Sequence, residues 1–225
     1  MSLIRTLATK PWMENTVEDI PAWGRLPLPT ARVGLGVFLA VVTVLFWLLI
    51  SAYLVRMSFA DWRPLPEPPL LWRNTLVLVL SSMAMQGSWM NARRGRLDAA
   101  RVGFLVGGFG AAVFLAGQLV AWRQLDALGY FVATNPADTF FYLMTALHGV
   151  HLLGGLVAWS ITAAGLRHGF DGPRMRSRIE LCTLYWHFLL VVWLVLFGLL
   201  LADNSGKIGL LDIYQAICSI GAPAR

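Results

Sequence analysis

Apolar residues are grouped along this chain in five stretches of roughly 20 residues that contain almost no charge. A helix needs about 20 apolar residues to cross a hydrocarbon core roughly 30 Å thick. The pattern therefore predicts an all-α fold, a polytopic membrane helix bundle with five transmembrane helices. The spans are expected at about residues 33–55, 71–92, 102–122, 139–166 and 179–201.

Local signals mark the ends of these stretches. Arg56 follows the first stretch, and Gly172-Pro173 interrupts the chain before the fifth. Residues 135–139, with the sequence NPADT, are typical of a helix start. Asp138 or Thr139 is expected to cap the unpaired backbone N–H groups there.

The composition excludes soluble and disordered proteins. Hydrophobic residues make up 57% of the 225 residues and charged residues only 13%, whereas a soluble domain has about 25% charged residues. The mean hydropathy is +0.64. The net charge of +6 comes from short Lys and Arg clusters between the apolar stretches. Such clusters are typical of topology signals and not of a nucleic-acid-binding face.

The basic residues also predict the orientation of the chain. Twelve Lys and Arg residues lie on the side of the N terminus and six on the opposite side. Because basic residues accumulate on the cytoplasmic side, residues 1–32 are predicted to form a cytoplasmic segment and residues 202–225 a periplasmic tail. Trp62, Trp72 and Trp122 then fall at the outer boundary, as expected for an aromatic belt.

Few polar side chains lie within the predicted spans, and such residues mark either function or helix contacts. Gln118 is in the third span, and Glu180 is the only acidic residue in any of the five. Glu180 is expected in the first turn of the fifth helix, where the helix dipole favours its charge. A proton relay needs several protonatable groups at different depths, so this chain is not expected to carry a proton route alone.

Three histidines are the candidate ligands. His148 and His151 are three residues apart and share one face of the fourth helix. His187 lies near the middle of the fifth, at a depth similar to His151. They could bind a metal or a heme, but neither helix has a second His a few turns away for a second heme. Hydrogen bonding between helices is the favoured alternative.

Glycines crowd the third and fourth spans. Small residues let membrane helices approach closely, so packing within the chain is the favoured reason, and a docking surface for another subunit would look the same. They are Gly103, Gly107, Gly108, Gly110 and Gly117, followed by Gly149, Gly154 and Gly155.

Two motifs give the chain a family resemblance. Residues 140–151, FFYLMTALHGVH, followed by Gly154-Gly155, resemble a stretch of heme-copper oxidase subunit III. Glu180, with YWHF at 185–188 and Val192-Trp193, resembles another helix of that family. The likeness covers roughly residues 33–201, and five spans are typical of the short bacterial form.

The resemblance implies an accessory, non-catalytic subunit of a respiratory terminal oxidase in the bacterial cytoplasmic (inner) membrane. Such a subunit has no catalytic residue and no metal of its own, because heme and copper belong to its partners, catalytic subunit I and subunit II. It stabilises the catalytic subunit and holds structural phospholipids. By position, His151, Arg167 and His168 would lie near lipid headgroups. The residues implied as polar groups at helix interfaces are Gln118, His148, Glu180 and His187.

Two positions depart from the family pattern. Val42 stands where the family often has a buried Glu, and Leu190 stands where YWHF is followed by Asp. Losing both carboxylates favours a scaffolding and lipid-holding role. Three alternatives remain: a subunit III-like partner of a nitric oxide reductase, a heme b anchor using His148 or His151 with His187, and a transporter. The transporter is disfavoured because broken-helix repeats and buried charges are missing from the sequence.

Overall fold

The computed structural model describes residues 30–59, 61–63, 69–131, 135–167 and 172–205. Within these ranges the chain forms five α-helices, each of which contains one predicted apolar stretch. They are α1 (Thr30–Arg56), α2 (Leu70–Arg93), α3 (Leu97–Ala127), α4 (Pro136–Arg167) and α5 (Gly172–Ser205). The prediction of an all-helical fold is confirmed for the described residues.

Four of these helices are long and apolar enough to cross a membrane. The qualifying segments are Ala31–Arg56, Leu97–Ala127, Pro136–Leu166 and Met175–Asp203. α2 does not qualify, because residues such as Arg73, Asn74 and Gln86 lower its hydropathy. The fold is therefore that of a multi-pass membrane protein, while the number of five spans remains a prediction.

The chain comprises two compact units, Met1–Ala40 and Val41–Arg225, and α1 runs through their boundary. The described part of the first unit, residues 30–40, is the helical beginning of α1. The second unit contains the rest of α1 and the four other helices. All of the interactions discussed below lie within this second unit.

Small residues let α2 and α3 pack closely along their length. A methyl group at Gly103 of α3 would lie 3.2 Å from the Cβ of Ser88, and one at Gly110 would lie 2.8 Å from the Cβ of Ser81. α2 turns its polar side toward the bundle and its apolar side outward, which is the inverse of a soluble helix. The buried polar residues are Asn74, Thr75, Ser81, Ser82 and Ser88, and the exposed apolar ones include Trp72, Leu76, Leu80 and Met83.

An apolar core joins the second half of α1 to α4 and α5. Its buried members are Val42, Phe46, Tyr53, Met144, Leu196 and Leu199. Val42 is only 3% exposed. The position where the family often has a Glu is therefore filled by an apolar side chain in an apolar surrounding.

Glycines end α2 and α3 in the same way. Gly95 (φ 76°) and Gly129 (φ 86°) adopt the left-handed conformation two residues beyond each helix. The N–H groups of Arg96 and Tyr130 then bond back to carbonyls in the last turn of each helix, at 3.0 and 3.1 Å. Both ends are Schellman motifs, in which glycine avoids the steric cost of a positive φ.

The connections after α1 and after α3 contact each other. Nδ2 of Asn135 donates a 2.6 Å hydrogen bond to the carbonyl of Arg63. Earlier in the first connection, Arg56 forms an ion pair with Asp61. The hydrogen bond from the Arg56 guanidinium holds the pKa of the Asp61 carboxyl below its usual range.

Two details of the sequence prediction are wrong. The cap of α4 is Asn135, whose Oδ1 accepts from the N–H of Ala137 at 3.3 Å. Asp138 and Thr139 lie inside the helix, because Pro136 already has the φ that suits a first helical residue. α5 begins at Gly172, so Glu180 lies two turns inside the helix and not in its first turn.

Candidate functional site

His187 links α5 to α2 through both nitrogens of its ring. Its Nδ1 lies 2.6 Å from Oγ of Ser82, and its Nε2 lies 2.9 Å from Oε1 of Gln86. An amide oxygen can only accept, so Nε2 carries the proton and Nδ1 accepts from the Ser82 hydroxyl. The imidazole is thereby held in one orientation between the two helices.

The two tryptophans of α5 also bond to α2. The indole N–H of Trp186 donates to Oγ of Ser81 at 3.1 Å, and Ser81 in turn donates to the carbonyl of Gly107 at 2.5 Å. The indole N–H of Trp193 donates to Oγ1 of Thr75 at 2.9 Å. The hydroxyl groups of α2 therefore satisfy the polar edges of the large aromatic residues of α5.

His148 lies in an aromatic environment at the centre of the bundle and is 1% exposed. The rings of His148 and Phe114 pack edge to face, with 5.9 Å between their centroids. The Trp193 ring lies 5.4 Å away at a tilt. Gln118, one turn beyond Phe114 on α3, is also buried.

His151 has a different environment from His148. Its Nδ1 donates to the carbonyl of Leu147 at 2.8 Å, and its ring lies 5.6 Å from that of Phe46 on α1. Its backbone carbonyl accepts a 2.8 Å hydrogen bond from the hydroxyl of Tyr185. A methyl group at Gly155 would lie 2.6 Å from the Tyr185 ring, so glycine is required where these helices meet.

The remaining predicted site residues lie near the ends of α4 and α5. Arg167 is the last residue of α4, and Glu180 is partly buried on α5. The side chain of Arg167 and all of His168 lie outside the described residues. The expected lipid contacts of His151, Arg167 and His168 therefore remain a prediction.

A buried carboxylate that the sequence analysis missed lies near the end of α5. Asp203 is 8% exposed and accepts hydrogen bonds from the Tyr53 hydroxyl at 2.8 Å and from the Trp62 indole at 3.0 Å. Trp62 and Tyr53 also stack edge to face, 4.9 Å apart. The predicted span ended at residue 201, so Asp203 was assigned to the tail.

Trp186, His187 and Trp193 are arranged to hydrogen-bond α5 to α2. The three imidazoles contact different residues, and both nitrogens of His187 are engaged with α2. Among the described residues, no three His, Cys, Asp or Glu side chains come together as a candidate metal site. The chemistry that this arrangement supplies is donation and acceptance of hydrogen bonds between helices.

The fold and its interior define a multi-pass helical membrane protein whose polar groups join its helices. The family model for cytochrome c oxidase subunit III matches residues 32–202. The chain is 32% identical to cytochrome c oxidase subunit 3 of Thermostichus vulcanus over 178 residues, which are 76% of this chain and 87% of that protein. The chain therefore belongs to the cytochrome c oxidase subunit III family.

Further relatives show the same family. Cytochrome c oxidase subunit 3 of Synechocystis sp. is 30% identical over 204 residues, which are 88% of this chain and 86% of that protein. Probable cytochrome c oxidase subunit 3 of Mycobacterium bovis is 29% identical over 140 residues, covering 61% of this chain and 69% of that protein. The resemblance carried by the motifs of α4 and α5 is confirmed.

Proposed function

We propose that this chain is the accessory, non-catalytic subunit III of a respiratory terminal oxidase in the bacterial inner membrane. Its partners are the catalytic subunit I and subunit II, which hold the heme and copper of a complex that reduces oxygen and pumps protons. The observation that carries the proposal is the family match over residues 32–202, which covers nearly the whole helical region.

The proposal includes five membrane spans, with α2 as the second. The 24 residues of α2 rise about 36 Å, which is enough to cross the hydrocarbon core. α2 lies against α3 from Ser88 and Gly103 at one end to Asn74 and Gly117 at the other. Its polar side chains face α3 and α5, so its hydropathy understates how well its outer face suits lipid.

The proposed orientation places the N terminus in the cytoplasm and the C terminus in the periplasm. It rests on the charge distribution, with twelve Lys and Arg residues on the side of the N terminus and six on the opposite side. The hydrogen bond from Asn135 to Arg63 supports the span count and not the side, because it brings together two connections that five spans would place on the same side of the membrane.

Within the complex, the proposed role is to stabilise the catalytic subunit. The interior supports this role because α2 and α5 are joined by the hydrogen bonds of Trp186, His187 and Trp193, which keep a fixed surface for a neighbouring subunit. Val42 lies in an apolar core in place of a family carboxylate, which favours scaffolding over proton handling.

The second part of the role is to hold structural phospholipids. Basic residues are concentrated where α4 ends and α5 begins. Arg167 is the last residue of α4, His168 follows it in sequence, and Arg174, Arg176 and Arg178 are in the first two turns of α5, where Arg176 and Arg178 are exposed. Each basic residue near an anionic membrane surface contributes about 1 kcal/mol to binding. We propose that Arg167 and His168 contact the headgroup and that His151 lies nearby.

Co-purification tests the proposed function. The chain is tagged at its C terminus, extracted in mild detergent, and its partners are identified by mass spectrometry, with membranes containing the untagged chain as the control. We expect a larger heme- and copper-bearing oxidase subunit to accompany the tagged chain. Recovery with a nitric oxide reductase, or as a stable chain with no heme protein, would contradict the proposal.

A further inference from the structure

Three buried polar side chains, each on a different helix, carry atoms without a protein partner. Asn74 of α2 is 5% exposed and Gln118 of α3 is 4% exposed, and His148 of α4 is almost fully enclosed. Nδ2 of Asn74, both amide atoms of Gln118 and both ring nitrogens of His148 make no hydrogen bond to any residue that the structure describes. Buried polar groups are rarely left in this state.

Asn74 and Gln118 lie at the same level of the bundle. A methyl group at Gly117 would lie 2.1 Å from Oδ1 of Asn74, so the Asn74 side chain lies directly against the backbone of α3. Gln118 is the next residue along that backbone. Any side chain at Gly117 would overlap the Asn74 amide, so glycine is needed for Asn74 to lie against α3.

His148 approaches α3 from α4 close to that level. Its ring contacts Phe114, which precedes Gln118 by about one helical turn. Trp193 of α5 contacts both rings, with its centroid 4.9 Å from Phe114 and 5.4 Å from His148. Trp193 also bonds to Thr75, the residue that follows Asn74 on α2. Trp193 therefore contacts α2 beside Asn74 in sequence, as well as contacting His148 on α4.

We propose that Asn74, Gln118 and His148 form an internal water-binding site between α2, α3 and α4. Nδ2 of Asn74 is a donor, the Gln118 amide offers both a donor and an acceptor, and a neutral imidazole offers one of each. The ligand must therefore both donate and accept, which water does and a simple ion does not. A buried water typically makes about three hydrogen bonds to groups that would otherwise be unsatisfied.

The site would join α2, α3 and α4 through water, one turn from the direct hydrogen bond that Trp122 of α3 donates to Thr145 of α4. The other α2 contacts described above are direct, such as Ser82 to His187 and Thr75 to Trp193. A bound water would add hydrogen bonds from α2 to α3 and α4, besides these contacts with α5. The inference concerns the interior of this chain and does not depend on its partners.

Solid-state NMR of the full chain, purified with its accompanying subunits in lipid bilayers and labelled with ¹⁵N-histidine, tests the site. We expect magnetisation transfer from water protons to the His148 ring nitrogens, with the signal assigned by its loss in His148→Phe. Gln118→Met retains the imidazole but removes a water ligand, so the transfer should fall roughly twofold or more.

Ser88→Ala is the matched control, because Ser88 bonds to the carbonyl of Ala100 near the other end of α2 and should leave the signal unchanged. If His148→Phe fails to fold, the loss of the signal in His148→Gln, which keeps a polar side chain, assigns it instead. A His148 ring that receives no magnetisation from water in the wild-type chain would overturn the proposal.

Discussion

The hydroxyl of Tyr53 donates a 2.8 Å hydrogen bond to the carboxylate of Asp203, which ties the end of α1 to the end of α5. The indole of Trp62, in the connection that follows α1, donates to the same carboxylate. The ring of Phe140 from α4 packs edge-on against Tyr53 at 5.7 Å. One buried acidic group thus joins the end of α1 and the connection that follows it to the end of α5, and Phe140 of α4 packs on the aromatic rings that bond to it.

Removing the Tyr53 hydroxyl is expected to destabilise the chain. Tyr53→Phe keeps the ring contacts with Trp62 and Phe140 but deletes a hydrogen bond to a charged acceptor, which contributes about 1.5–3 kcal/mol. Thermal unfolding of the detergent-purified chain measures the loss. Ser51→Ala is the control, because the Ser51 hydroxyl bonds to the carbonyl of Trp47 within its own helix. Equal midpoints for the two variants would show that the Asp203 contact contributes nothing.

Gly108 and Gly154 are predicted to respond differently to the same substitution. A methyl group at Gly108 would lie 2.0 Å from the Trp159 ring, which is held by its own hydrogen bond to the carbonyl of Phe104. At Gly154, no atom of the described residues lies within 4 Å of the added carbon. Gly108→Ala should therefore lower the unfolding midpoint and the yield of assembled chain.

Gly154→Ala serves as the matched control on the neighbouring helix. Alanine favours helix over glycine by about 1 kcal/mol, so this variant should be as stable as the wild type or slightly more so. If Gly108→Ala is tolerated equally well, the close contact between α3 and Trp159 is not required.

The topology is tested by reporters that are active only in the periplasm. Fusions after Trp62 and after Arg225 should be active, and a fusion after Arg96 should be silent. The difference between Trp62 and Arg96 is expected because α2, which lies between them, is proposed to cross the membrane. The same activity after Trp62 and after Arg96 would mean that α2 does not span. Activity after Arg96 but not after Arg225 would reverse the orientation.

The lipid role predicts a defect without a change in topology. Replacing Arg167 and His168 with Gln leaves eleven basic residues against six, so orientation should be kept. We expect the variant complex to assemble, lose tightly bound phospholipid and inactivate faster during turnover. Lipid content by mass spectrometry and the decay of oxygen consumption measure these effects.

Arg94→Gln is the control for the lipid prediction. It removes one positive charge from the other connection on the cytoplasmic side and also leaves eleven against six. The lipid prediction is contradicted if the Arg167→Gln/His168→Gln variant assembles normally and has the same lipid content and lifetime as the control. Arg167 would then act only as a topology signal.

Helix positions could be predicted from the sequence because hydrophobic length is a local property. Each predicted stretch lies within one observed helix, and the differences fall at the ends. There, α4 begins at Pro136 after the cap Asn135, and α5 begins at Gly172, before its apolar residues. Capping chemistry, and not hydropathy, decides the start of α4. Asp203 was missed because it lies just past the apolar run of α5.

The partners of the polar groups could not be predicted, because they depend on which helices face one another. The sequence marks His187 and Gln118 equally as polar residues in apolar helices. Only the packing of α2 against α5 brings Ser82 and Gln86 to His187. The glycines behave similarly, since Gly108 receives Trp159 whereas Gly154 faces open space.

The location of the heme tests the central claim most directly. The complex isolated through this chain is dissociated into its subunits under conditions that retain heme, and the Soret absorbance of each is measured against its protein content. The account predicts that all heme remains with the larger partner and that this chain is colourless. A Soret band stoichiometric with this chain would contradict the account and would favour a heme anchor that uses His148 or His151 with His187.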